Sequence, residues 1–156
     1  MTTFYEFIMD NREEIIKRLR KYFDKNASLY GLEMVFLYGS WARGLPRNDS
    51  DIDIAIVFSE EPSTDDEYFK RITDISLSLS AELNREVNVI KIYEDFRKPM
   101  LYYNAIVSGL PVFIKDFVKY VNFKNEAIYQ MEDFCIFGMD WQHEVATKNL
   151  EALRHA

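Results

Sequence analysis

Cys135 is the only cysteine in this chain. A single thiol excludes any intrachain disulfide and any cysteine-based zinc site, and it suits a reducing compartment. Long apolar runs are missing as well. No stretch approaches the roughly 18 residues a membrane-spanning helix needs. The N-terminal "MTTFYEFIMDNREEIIKRLRKYF" lacks the basic start and apolar core of a signal peptide, so the expected location is cytoplasmic. Basic residues are in deficit: 19 Lys and Arg stand against 26 Asp and Glu, for a net charge of −7. That balance argues against a broad nucleic-acid-binding surface, which needs a basic face. There is no internal repeat and no low-complexity tract.

What is present is an ordinary globular composition, 48% apolar and 29% charged over 156 residues, enough for one domain with a real core. Residues 4–23 place Phe4, Phe7, Ile8, Ile15, Ile16, Leu19 and Phe23 at a helical period, and Gly31 punctuates the loop beyond. "EMVFLY" (33–38) reads as a short buried strand ended by Gly39-Ser40, with Ser40 the cap of a brief helix through 44. "DIDIAIVF" (51–58) puts Ile52, Ile54, Ile56 and Phe58 on one face and Asp51, Asp53, Ala55 and Val57 on the other, one greasy side and one working side. Thr64 stands three residues before Glu67, a capping-box spacing for a helix to about Leu83. "REVNVIKIY" (85–93) is a third strand, a helix starts at Pro99 and stops at Gly109, "LPVFI" is extended, and 116–155 forms one or two helices packing back on the domain. This order predicts an α/β fold, a small mixed sheet flanked by helices.

The chemistry concentrates in "FLYGSWARGLPRNDSDIDIAIVF" (36–58), where ten residues separate Ser40 from Asp51. Strands normally exclude Asp, yet Asp51 and Asp53 share one face of one strand. Like charges held that close call for something positive beside them. A Gly-Ser turn at a strand end lets backbone N–H groups approach a phosphate, and Ser40 can add a hydroxyl. Asp51 and Asp53 offer hard oxygen ligands of the kind that hold Mg²⁺ against substrate phosphates, and Arg43 can pair with phosphate oxygens. Tyr102, Tyr103 and Tyr120 read as core rather than base-stacking residues. Trp41, beside Ser40, is open between lining the nucleotide pocket and facing a partner.

With "GSWARG" followed by "SDIDI", the sequence resembles the nucleotidyltransferase superfamily with the DNA polymerase β-type core, and within it the minimal nucleotidyltransferase (MNT) branch. The resemblance covers roughly residues 30–115. It implies a nucleotidyltransferase domain over 1–115 with a C-terminal helical extension at 116–156 packed on it. Catalysis and metal binding then fall to Asp51 and Asp53, nucleotide binding to Gly39, Ser40 and Arg43, with Mg²⁺ as cofactor and ATP as substrate. The family completes its site with a third carboxylate on a later strand, where this chain has Asn88. Glu86, two residues earlier on the same face, is the alternative ligand.

The MNT branch further implies an antitoxin paired with a HEPN-domain RNase toxin, to which such proteins transfer AMP on a tyrosine. HEPN toxins carry Arg and His separated by four to six residues. His143 has no Arg within that reach and His155 directly follows Arg154, so this chain is not the toxin half. Two alternatives differ in class. One is an antitoxin acting by binding alone, with Asn88 marking weak or lost catalysis. The other is a nucleotidyltransferase for a small-molecule acceptor, for which some forty residues after 115 leave little room.

Overall fold

The computed structural model describes residues 3–47 and 49–155, and the side chains of Phe4 and Tyr5, Phe4 among those named in the helical period, fall outside the described part. Helix α1 (Phe4–Tyr30) begins at a capping box: Thr3 Oγ1 accepts the Glu6 N–H, and the Glu6 carboxylate accepts the Thr3 N–H. It continues about two turns past residue 23. Asn26, which reads as a loop residue, instead donates its amide to the Tyr22 carbonyl, and Ala27 is buried. Gly31 ends the helix in the left-handed conformation, φ 65°.

Strand β1 (Leu32–Tyr38), the one-turn helix α2 (Gly39–Ala42), β2 (Ile52–Phe58), α3 (Asp65–Leu83), β3 (Val87–Lys91), α4 (Pro99–Ile106), β4 (Leu110–Ile114) and α5 (Phe117–Arg154) follow in order. The sheet order is β3-β2-β1-β4. β1 runs antiparallel to β2 and β4, while β3 runs parallel to β2. The fold is therefore the expected α/β arrangement with a mixed sheet.

Both faces of the sheet are covered. One carries Leu37, Ile52, Ile54 and Ile56 against α1 and α3, through Leu19, Phe23, Ile75 and Leu79. The other carries Phe36, Ala55 and Val57 against α4 and the start of α5, through Tyr102, Ala105 and Tyr120. The working side expected for β2 is therefore confined to its start. Its second side is open only at Asp53, because Ala55 and Val57 lie under helices. Gly109 lets the chain turn from α4 into β4, since a Cβ there would meet the Ala105 carbonyl oxygen at 2.1 Å.

Residues after 116 form a single helix of 38 residues, about 57 Å long at 1.5 Å per residue. Asp116 caps it by accepting the N–H groups of Val118 and Lys119. Only its first turns lie on the domain: Tyr120 and Ala127 are its buried residues, and among the described residues none beyond Ala127 is buried.

Candidate active site

The antiparallel register sets Tyr38 across from Asp53 on one side, and the parallel register sets Asn88 beside Asp53 on the other. Asp51 stands just before β2, exposed, while Asp53 is half-buried at its start. Asn88 Nδ2 donates to Asp51 Oδ2 over a long 3.4 Å. The partner that the sequence argument demanded for two close carboxylates is, in this structure, a neutral amide.

Burial pushes the Asp53 carboxyl above the usual carboxylate range; the Asn88 amide pulls it back, and the charge of Asp51 raises it further. Across the strand, burial and then Asp53 push the Tyr38 phenol up to about 12. The site thus disfavours negative charge that nothing compensates.

Gly39 sits directly over this pair. Its φ is +73°, and a Cβ built on it would lie 2.4 Å from Asp53 Oδ2. The position therefore excludes side chains twice, by backbone conformation and by the carboxylate below. Gly39→Ala is expected to lower the thermal midpoint, since a left-handed non-glycine residue costs roughly 1–2 kcal/mol, and to displace Asp53. Calorimetric titration with ATP and Mg²⁺ should then show affinity reduced by about tenfold or more, the equivalent of one lost charge-assisted hydrogen bond. An unchanged midpoint with unchanged affinity would show that neither constraint acts.

The cap of α2 differs from expectation. Tyr38 is the N-cap and supplies no side-chain hydrogen bond, while Ser40 is the second helical residue. Ser40 cannot cap because the turn starts one residue earlier, as the left-handed Gly39 allows. A cleft of about 240 Å³ opens beside the turn, lined by Tyr38, Gly39, Ala42, Arg43, Leu101 and Asn104 among others. Arg43 is exposed, and its Nε donates to the Gly39 carbonyl at 3.4 Å.

Trp41 faces away from this cleft. It is 2% exposed, its indole N–H donates to the Ser50 carbonyl, and the Arg85 guanidinium lies 4.9 Å over its ring. Its task is to pin the loop leading to Asp51. Sequence reasoning missed Arg12, whose guanidinium reaches from α1 to the carbonyls of Trp41 and Ala42 at 2.7 and 2.8 Å. A lone Arg on a helix gives no signal of such a role until the two segments are seen together.

A family model described as Polymerase beta, Nucleotidyltransferase matches residues 13–118. The chain belongs to the polymerase β nucleotidyltransferase family. None of the curated proteins matches it. Among solved structures, this nucleotidyltransferase resembles a chain of a toxin–antitoxin crystallised with AMP-PNP, at TM-score 0.62 and 18% identity over 87% of this chain and 98% of that one. It also resembles a chain in the structure of a tri-AMPylated Shewanella oneidensis HEPN toxin in complex with MNT antitoxin, at TM-score 0.57 and 16% identity, covering 89% and 98%. The toxin–antitoxin MntA-HepT gives TM-score 0.57 and 17% identity, covering 88% and 98%. At these identities the likeness is one of fold.

The donor set suits a hard divalent cation: two carboxylates lie at one strand end, with a glycine leaving open the space beside Asp53 that a Cβ would fill. Among the described residues, no three His, Cys, Asp or Glu side chains gather closely enough to hold a metal ion. Glu86 accordingly does not join the pair. It is exposed, and it enters β2 only through its backbone carbonyl, which accepts the Ile52 N–H at 2.9 Å. Asn88 occupies the register position beside Asp53.

Proposed function

We propose that this nucleotidyltransferase transfers AMP from ATP to a hydroxyl of a protein partner, as the antitoxin of a HEPN-type toxin. The observation that carries the reading is the placement of Asp51 and Asp53 at the start of β2, beside the Gly39–Ser40 turn, in a chain of this family. Asp51 and Asp53 would hold Mg²⁺, which when bound screens the triphosphate and polarises its oxygens. The backbone N–H groups of the turn, the Ser40 hydroxyl and Arg43 orient the phosphates for in-line attack. The acceptor hydroxyl attacks the α-phosphorus, and pyrophosphate leaves.

The protein partner is supported by α5. Beyond Ala127 it exposes Phe134, Phe137 and Trp141 along one side, and Ile136, Met139, Leu150 and Leu153 along another. Large apolar side chains left exposed in such number on one helix mark a protein interface. The neighbouring folds come from toxin–antitoxin complexes, one with a HEPN toxin that is AMPylated. Incubating the chain with labelled ATP, Mg²⁺ and its cognate toxin, followed by intact mass, tests the reading. The expected result is a toxin heavier by one or more AMP groups, and an unmodified toxin overturns it.

Asn88 favours the second reading, an antitoxin that acts by contact alone, because an amide cannot take a proton from the acceptor. The two readings separate on one substitution. Asn88→Asp is expected to raise the transfer rate with little change in ATP affinity, since general-base help is typically worth about 10²–10⁴-fold. Single-turnover kinetics measure it. No transfer by either protein, with toxin binding intact, leaves only the contact mechanism.

A further inference from the structure

A second cavity, of about 370 Å³, opens between the sheet and α5. It lies at the opposite end of the sheet from the carboxylate pair: Glu33 marks it near the start of β1, whereas Tyr38 marks the active site at that strand's end. Five residue steps along the strand separate the two, roughly 17 Å. Met34, Val57, Phe96 and Phe123 give it apolar walls. Its ionisable groups are unbalanced, with Glu33, Glu94 and Glu126 facing the single ammonium of Lys119.

Glu33 is the anomaly. It is 4% exposed, the one buried charged residue among the described residues, and its Oε1 has no hydrogen-bond donor. Lys119 Nζ lies 3.6 Å from that oxygen, beyond hydrogen-bond distance, on a side chain 63% exposed. The ion pair offsets charge without satisfying the oxygen. A strut holding α5 to the sheet would account for Lys119, but it leaves the buried oxygen unmet and the apolar space beside it unfilled. A buried carboxylate oxygen without a donor is costly, and native folds seldom leave one that way.

We propose that this cavity binds an ammonium or guanidinium group carried on an apolar stem. The cationic head donates to Glu33 Oε1, and the stem lies against the wall formed by Phe96 and Phe123, whose rings pack on each other with centroids 5.1 Å apart. The head displaces Lys119 toward solvent. Either a free amine or the Lys or Arg side chain of another protein presents this chemistry. The inference is independent of nucleotidyl transfer.

Titration of the full chain with agmatine and, separately, with Nα-acetylarginine amide, followed by amide chemical shifts, tests it. Shifts at Val57, Phe96 and Phe123 are expected with at least one probe. Binding of agmatine alone identifies a small free amine, and binding of the blocked arginine alone identifies a protein side chain. No shift at these residues with either probe up to roughly 10 mM, a free energy of only a few kcal/mol, overturns the proposal. Glu33→Gln should weaken binding about tenfold or more, as loss of a charged acceptor does. Lys119→Met should tighten it by removing the competing cation, whereas a purely structural strut would give no tightening. That second variant decides the matter if Glu33→Gln does not fold.

Discussion

Asp53→Asn is expected to yield a protein that is more stable and binds ATP with Mg²⁺ far less tightly. The carboxylate is half-buried, raised by burial and by Asp51, and only partly relieved by Asn88. Its folded pKa therefore lies above its unfolded value, so the fold binds the proton more tightly than the unfolded chain. For such an acid the ionised form opposes folding. That cost is fully present above the folded pKa and fades as pH falls toward the unfolded one. In metal-free buffer at neutral pH the variant should melt above the parent, and the gap should close on acidification. Calorimetric titration with ATP and Mg²⁺ should show affinity lower by about 3 kcal/mol or more, judging from broken charge-assisted contacts. Undiminished affinity in the variant would remove Asp53 from the phosphate site, whatever its melting point.

The second large effect concerns α5. Phe137→Asp combined with Trp141→Asp places two charges one turn apart on a side where the native residues are 69% and 65% exposed. Neither side chain supports the core, so melting temperature and nucleotide binding should hold. Binding to the proposed toxin partner should fall by about a hundredfold or more, because truncating buried aromatic anchors typically costs 2 kcal/mol or above, and charge adds a desolvation penalty. Size-exclusion chromatography with the toxin shows the complex, and titration gives the affinity. Full affinity would place the partner on another surface.

The sequence made some of this legible for specific reasons. Thr64 caps α3 as its spacing to Glu67 implies, because a cap is a local contact between near neighbours. Asp51 and Asp53 stood out because strand residues next to them are so strongly apolar. Pairing was not legible. Nothing in "VNVIK" says that it lies parallel to β2, and only that register puts Asn88 beside Asp53. Ala55 and Val57 read as part of the working side because alternation shows which residues share a side, but not whether a later helix covers it. The length of α5 was hidden for the opposite reason. Apolar residues around its whole circumference blur a period that a single buried stripe would sharpen.

Arg12 lies one residue outside the segment that the family model matches, 13–118. Its two hydrogen bonds nevertheless close the far end of the turn that carries Gly39 and Ser40. A domain trimmed to residues 13–118 would expose both carbonyls to water and leave α2, four residues long, to fray. The support of that turn thus extends beyond the matched segment. The N-terminal helix acts as a splint for the turn, and proteolysis or fusion near residue 12 would reach the proposed phosphate site without touching it.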